Sequence, residues 1–172
     1  MIMYRSIRRR SFGYIEAVIS TVVLGSAIVA ALGMFGGYVR GIEASVDGLK
    51  ARELACELLA EIVSRPFEDP NRLPGNFGRA AGETLRKDFN DVDDYHRWEE
   101  SPPTAFDGTP LGGNEYAGFT RRVVVRNVDA ETMQSVVANG SSSAKRITVI
   151  VEHNGKLRAK LFAYRTRNDA WN

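Results

Sequence analysis

Three patterns of apolar and polar positions divide the chain. From Ala17 to Val39 no charged side chain occurs, a run of 23 residues. As a helix it is about 35 Å long, enough to cross a hydrocarbon core of roughly 30 Å. Beyond it Ala51, Leu54, Ala55, Leu58 and Ile62 recur at three- and four-residue spacing, which gathers them on one helical face, and Val46 and Leu49 are expected to extend that face. Pro66 pushes the residue before it out of the α region, so the helix should end near Ser64. The two patterns therefore predict one helix of about 50 residues, apolar all round in its first half and amphipathic in its second. Gly33, Gly36 and Gly37 weaken it by about 1 kcal/mol each relative to alanine. Local unwinding there and close packing at GxxxG-type spacing (Gly33 with Gly37, Ser26 with Ala30) are both compatible with the sequence.

The third pattern alternates. Phe119 to Val128 is rich in valine, Lys145 to His153 puts Ile147, Val149 and Val151 on one face, and Lys156 to Arg165 does the same for Leu157, Ala159, Leu161 and Ala163. Asn154-Gly155 is a strong two-residue hairpin turn, and Asn139 to Ser143 is a polar loop. At least three antiparallel strands follow, with one face available to the amphipathic helix. Residues 66–118 hold all six prolines, with Phe67, Phe77, Phe89, Tyr95, Trp98, Phe106 and Tyr116 interleaved. So long an irregular stretch is expected to hide short elements or a function, and its aromatics are expected to pin it to the sheet. The fold class is α+β, organised as a basic leader (1–11), a membrane-spanning half-helix (12–39), an amphipathic half-helix (40–65), an irregular region (66–118), an antiparallel sheet (119–167) and a tail (168–172) in which Trp171 is expected to cover an edge.

Charge adds orientation. Arg5, Arg8, Arg9 and Arg10 precede the apolar run, so the positive-inside rule keeps that end cytoplasmic and sends the C-terminal domain across the membrane. Formal net charge is +2. Without residues 1–11 the balance turns slightly acidic, which gives no general signature for a nucleic-acid partner. Glu16 heads the apolar run; it can cap the helix N-terminus, where negative charge is favoured, or pair with another buried charge. Glu53, Glu57 and Glu61 form a four-residue series expected to be a solvated face, with Arg52 and Arg65 offsetting their repulsion. Cys56 is the single cysteine, expected as a filler on a helix face. In the acidic segment Asp88 to Glu100, turn formation and capping account for the carboxylates. Were a calcium ion held, Asp91, Asp93 and Asp94 would supply its oxygen ligands, although the spacing is not that of an EF-hand loop. His96 has no partner histidine nearby, which argues against zinc.

Arg8-Arg9-Arg10-Ser11-Phe12-Gly13-Tyr14-Ile15-Glu16 with the apolar run resembles the N-terminus of type IV prepilins and of the pseudopilins of type II secretion. The resemblance implies a leader ending at Ser11, cleavage by a membrane prepilin peptidase between Ser11 and Phe12, methylation of the new amine, and Glu16 as the fifth mature residue. It further implies that Glu16 offsets the N-terminal amine of a neighbouring subunit in a filament. Ser11 stands where the family usually has glycine; a cut at Gly13 would leave Glu16 third. The helix-bending proline of many major pilins is absent. Arg52 to Ile62 is similar to the post-membrane helix of minor pseudopilins and accessory pilins. The segments Phe89–Trp98, Asp107–Leu111 and Lys145–Gly155 resemble parts of a subset of prepilin-like proteins.

Hydrolase and nucleotide chemistry find no motif: there is no GxSxG, HExxH or phosphate-cradling glycine loop. The expected function is therefore structural, not enzymatic and without a cofactor. The chain would be a minor pilin or minor pseudopilin of a pilus or secretion filament, partnered by prepilin peptidase, by other pilins through its helix and by the inner membrane. The alternative is a single-pass, signal-anchored periplasmic binding module that does not assemble.

Overall fold

The computed structural model describes residues 13–167. Arg8, Arg9, Arg10, Ser11 and Phe12, and the tail with Trp171, lie outside the described residues. The chain divides into two compact units between Ala44 and Ser45.

One helix, α1, runs from Tyr14 to Val63, 50 residues, and stops close to where Pro66 predicts. In the first unit every described side chain is exposed. The helix is unbroken through Gly33, Gly36 and Gly37, so the local unwinding allowed by the sequence does not occur. Glycine lowers helix propensity but, unlike proline, keeps its N–H in the hydrogen-bond ladder.

The second unit is built on a four-stranded antiparallel sheet in the order β1-β2-β3-β4, with β1 at Glu99–Glu100, β2 at Phe119–Val128, β3 at Ala144–His153 and β4 at Lys156–Thr166. The three long strands match the alternating runs. Asn154 and Gly155 turn β3 into β4 with φ of 51° and 73°, the left-handed pair a tight two-residue hairpin requires. β1 was not visible as a strand in the sequence; its two residues pair with Arg121 and Arg122.

The core lies between the sheet and the second half of α1. Ala51, Leu54, Ala55, Leu58 and Ile62 are buried against Phe119, Val123, Val125, Ile147, Val149 and Val151, with Phe89, Val92 and Tyr95 of the irregular region in the same cluster. That region contains short 3-10 turns at Arg86–Asp88, Asp93–Tyr95 and Gly113–Tyr116, and its aromatics pin it down except for Phe106, which is 42 % exposed. Phe89 meets Tyr95 edge-on with ring centroids 5.0 Å apart, and Tyr95 meets Trp98 at 6.4 Å.

Several local expectations are corrected. Leu49 is 71 % exposed and Val46 43 %, so the buried stripe begins only at Ala51. Cys56 is exposed and fills no gap, because the buried stripe of α1 passes through its neighbours Leu54, Ala55 and Leu58. Leu157 leaves the inner face, where the alternation put it. The register shifts between Val151 and Glu152, so that Ala159 pairs with Val151 but Leu157 with Glu152. A bulge of this kind reverses the side-chain alternation across it, and Leu157 joins the outer face at 60 % exposure.

Candidate functional site

The head of α1 is where the sequence concentrates its functional candidates, and of these Glu16 is described. Its Oε2 accepts a hydrogen bond from the Gly13 N–H at 3.2 Å, which satisfies one of the donors a helix N-terminus leaves open and puts negative charge at the positive end of the helix dipole. This is the capping role. The polar side chains in the apolar run are satisfied within the helix as well. Ser20 Oγ donates to the Glu16 carbonyl at 2.7 Å, Thr21 Oγ1 to the Ala17 carbonyl at 2.5 Å and Ser26 Oγ to the Val23 carbonyl at 2.9 Å. Such back-bonding lets hydroxyls sit in a hydrocarbon environment without an outside partner. α1 is thus a helix near the N-terminus long and apolar enough to span a membrane. Tyr14, Ile15, Val22, Val29, Leu32 and Phe35 are each more than 60 % exposed in the isolated chain, and an added Cβ at Gly33 or Gly37 meets nothing within 4 Å. Chemically the segment offers a continuous apolar surface with two glycines where another helix backbone can approach.

The acidic segment is arranged differently. Asp91, Asp93 and Asp94 are all buried. Asp91 Oδ1 accepts the N–H groups of Asp93 at 2.5 Å and Asp94 at 3.1 Å, and Asp94 Oδ2 accepts those of Asn90 at 2.9 Å and Asp91 at 3.2 Å. Each carboxylate closes a turn by the Asx mechanism. Asp93 instead faces Lys145, whose Nζ lies 2.7 Å from Oδ2, also donates to the Phe67 carbonyl and sits 4.0 Å over the Phe67 ring. Burial, then the neighbouring Asp94 and Asp93 carboxylates, push Asp91 up to about 7. Burial pushes Asp93 up to about 6 against the opposing pull of Lys145. Among the described residues no group of three or more His, Cys, Asp or Glu side chains is placed to hold a metal ion. The three carboxylates order the chain.

Glu53, Glu57 and Glu61 are not one solvated face. Glu53 and Glu57 are exposed, but Glu61 Oε1 accepts from Arg86 Nε at 2.9 Å and from the Tyr95 hydroxyl at 2.6 Å. Burial acts to raise the Glu61 carboxyl, and the hydrogen bonds from Arg86 and Tyr95 outweigh it and hold it below the usual carboxylate range. Arg86 in turn donates to the Thr104 carbonyl at 2.8 Å and stacks over Trp98 at 5.5 Å. Arg121, with a fully buried side chain, donates to the same carbonyl at 2.6 Å and pairs with Glu100. The chain Glu61–Arg86–Glu100–Arg121 ties α1, the irregular region and β2 together. Sequence reasoning missed Arg121 and Lys145, and the signal was parity. Arg121 shares its strand face with Phe119 and Val123, and Lys145 with Ile147, so each had to be buried and paired once that face was assigned to the core.

Comparison with protein-family models, with curated proteins and with solved structures finds no match.

Proposed function

We propose that the chain is a minor structural subunit, a pilin or pseudopilin, of a type IV pilus or type II secretion filament. The observation that carries this reading is the build of α1: a charge-free apolar half headed by one carboxylate, Glu16, continuous with a half whose single stripe packs on an antiparallel sheet. An apolar surface interrupted by Gly33 and Gly37 suits packing among other helices, in the membrane before assembly and in a filament core after it. Prepilin peptidase would cut between Ser11 and Phe12 and methylate Phe12, with Arg8, Arg9 and Arg10 holding the leader on the cytoplasmic side and the sheet domain lying outside the cytoplasm. Glu16 would then exchange its capping contact for the amine of a neighbouring subunit, since two charges buried in an apolar bundle are tolerated only as a pair. A minor subunit is favoured by the likeness of Arg52 to Ile62 to that branch of the family.

Mass spectrometry of the mature N-terminus, on protein recovered from its native membranes, tests this. N-methylated Phe12 is the expected result. A chain that keeps its leader, together with an inert Glu16→Ala variant, would refute the proposal and leave a signal-anchored binding module.

A further inference from the structure

The outer face of the sheet departs from what a solvated sheet face needs. Pairing across the three long strands sets its side chains in rows. Arg126 lies opposite Arg146, and Arg146 opposite Tyr164; in the next row Val124 lies opposite Thr148, and Thr148 opposite Phe162; Lys160 follows, opposite Ile150. Phe162 is 60 % exposed and Tyr164 39 %, and their rings meet edge-on at 5.8 Å. A depression of about 560 Å³ lies over these rows. The charges are unbalanced. Arg122, at the β1 side, has Glu99 at 2.8 Å and Glu152 at 3.8 Å. Arg126, Arg146 and Lys160 have no carboxylate within ion-pair distance among the described residues. Arg126 contacts the His96 ring at 3.2 Å; burial, then Arg126 and the nearby Arg97 and Arg79, hold that imidazole below its ordinary pKa, which favours the neutral ring, and an imidazole carries no negative charge in either state. Like charges directly opposite on neighbouring strands destabilise a sheet, and among the described residues no carboxylate pairs with Arg126 or Arg146 to offset their repulsion.

We propose that this face binds single-stranded nucleic acid. Arg126 and Arg146 form one cationic row and Lys160 a second, about 13 Å away along the strands, with Phe162, Tyr164 and Val124 between or beside them. Cations that track a phosphate backbone, flanking aromatic rings open for stacking, are what base-tolerant single-strand recognition uses. A carbohydrate ligand would call for amide and carboxylate groups to meet its hydroxyls, and these rows carry none. The chain's near-neutral average charge conceals the face, because the carboxylates on this side, Glu99 and Glu152, are taken up by Arg122. This inference is independent of filament assembly.

The test uses the full chain in nanodiscs of zwitterionic lipid and a fluorescent oligothymidylate of about 15 nucleotides, read by anisotropy. Binding is expected at about 50 mM salt and should weaken as salt rises to about 200 mM. Arg126→Ala with Arg146→Ala should weaken it at least about tenfold and reduce the steepness of the salt dependence. Phe162→Ala should weaken it about fivefold or more with the salt dependence unchanged. Phe162 is exposed, so that variant keeps the fold, and Lys160→Ala is a second surface variant with an expected loss of its own. Absence of binding at low salt overturns the proposal, as does indifference to all of these variants. Competition by polyglutamate as effective as that by unlabelled oligonucleotide would identify an acidic protein surface as the occupant. Loss with the arginine variants but none with Phe162→Ala would identify a polyanion held by charge alone. Either outcome overturns the nucleic-acid assignment.

Discussion

The two halves of α1 share a backbone and differ in what they ask of their surroundings. From Tyr14 to Ala44 apolar side chains point in every direction and none is buried. From Ala51 to Ile62 the same helix confines its buried residues to one stripe, and that stripe has a partner in the sheet. A helix apolar on all sides is suited to lipid or to other helices, whereas an amphipathic one completes a core. A single helix can thus serve two environments, and the change from one to the other is written in the spacing of its apolar residues. The acidic residues follow the same division. Glu16 caps the helix end by accepting from the Gly13 N–H, while Glu61, in the amphipathic half, is held by Arg86 and Tyr95.

The sharpest test of this contrast removes one member of a buried pair. Lys145→Ala leaves Asp93 buried without its cation and should destabilise the second unit by about 3–5 kcal/mol, measured by urea denaturation of the full chain in detergent. Glu61→Ala should approach that loss, while Glu53→Ala on the same helix should change stability by no more than about 0.5 kcal/mol; equal effects would mean the glutamates form one face after all. Leu58→Ala in the buried stripe should cost about 2–5 kcal/mol.

The pH dependence is a finer probe. Asp91 and Asp93 have raised pKa values in the fold, so the folded state holds protons that the unfolded chain has released. Their contribution is fully present below the unfolded carboxylate range near pH 4 and is lost as pH rises through about 6 for Asp93 and about 7 for Asp91. Stability should therefore fall between those limits. Asp91→Asn keeps an acceptor for the two turn amides and should flatten that slope, by on the order of 1–4 kcal/mol across the window, in denaturation curves collected from pH 4.5 to 8. An unchanged slope would place the titration elsewhere. The smallest effect is expected in the first half of α1. Val29→Ala should leave the urea midpoint of the second unit unmoved, because Val29 is exposed in the isolated chain and belongs to no buried cluster.

Some of this was legible because it depends on neighbours in sequence. The stripe of α1, its end before Pro66, the Asn154-Gly155 turn and the three long strands follow from periods of 3.6 and 2 and from backbone preferences, which act over a few residues. The aromatic pinning of residues 66–118 was legible too, from composition. The candidate chemistry was less so. Glu53, Glu57 and Glu61 look alike in the sequence, and only the arrival of Arg86 and Tyr95 from 25 and 34 residues away distinguishes the third. The acidic segment showed its density but not its partners, for Lys145 lies 52 residues beyond Asp93.

The α+β class, the apolar helix and, Leu157 apart, the faces of the long strands follow from local pattern, since steric preference and hydrophobic periodicity are properties of short segments. Tertiary structure alone decided which charges are buried in pairs, where the bulge turns Leu157 outward, and that Arg126, Arg146, Lys160, Phe162 and Tyr164 share one surface. Those outcomes depend on strand register and on contacts between distant segments, and a single residue's shift in register sends a side chain to the opposite face.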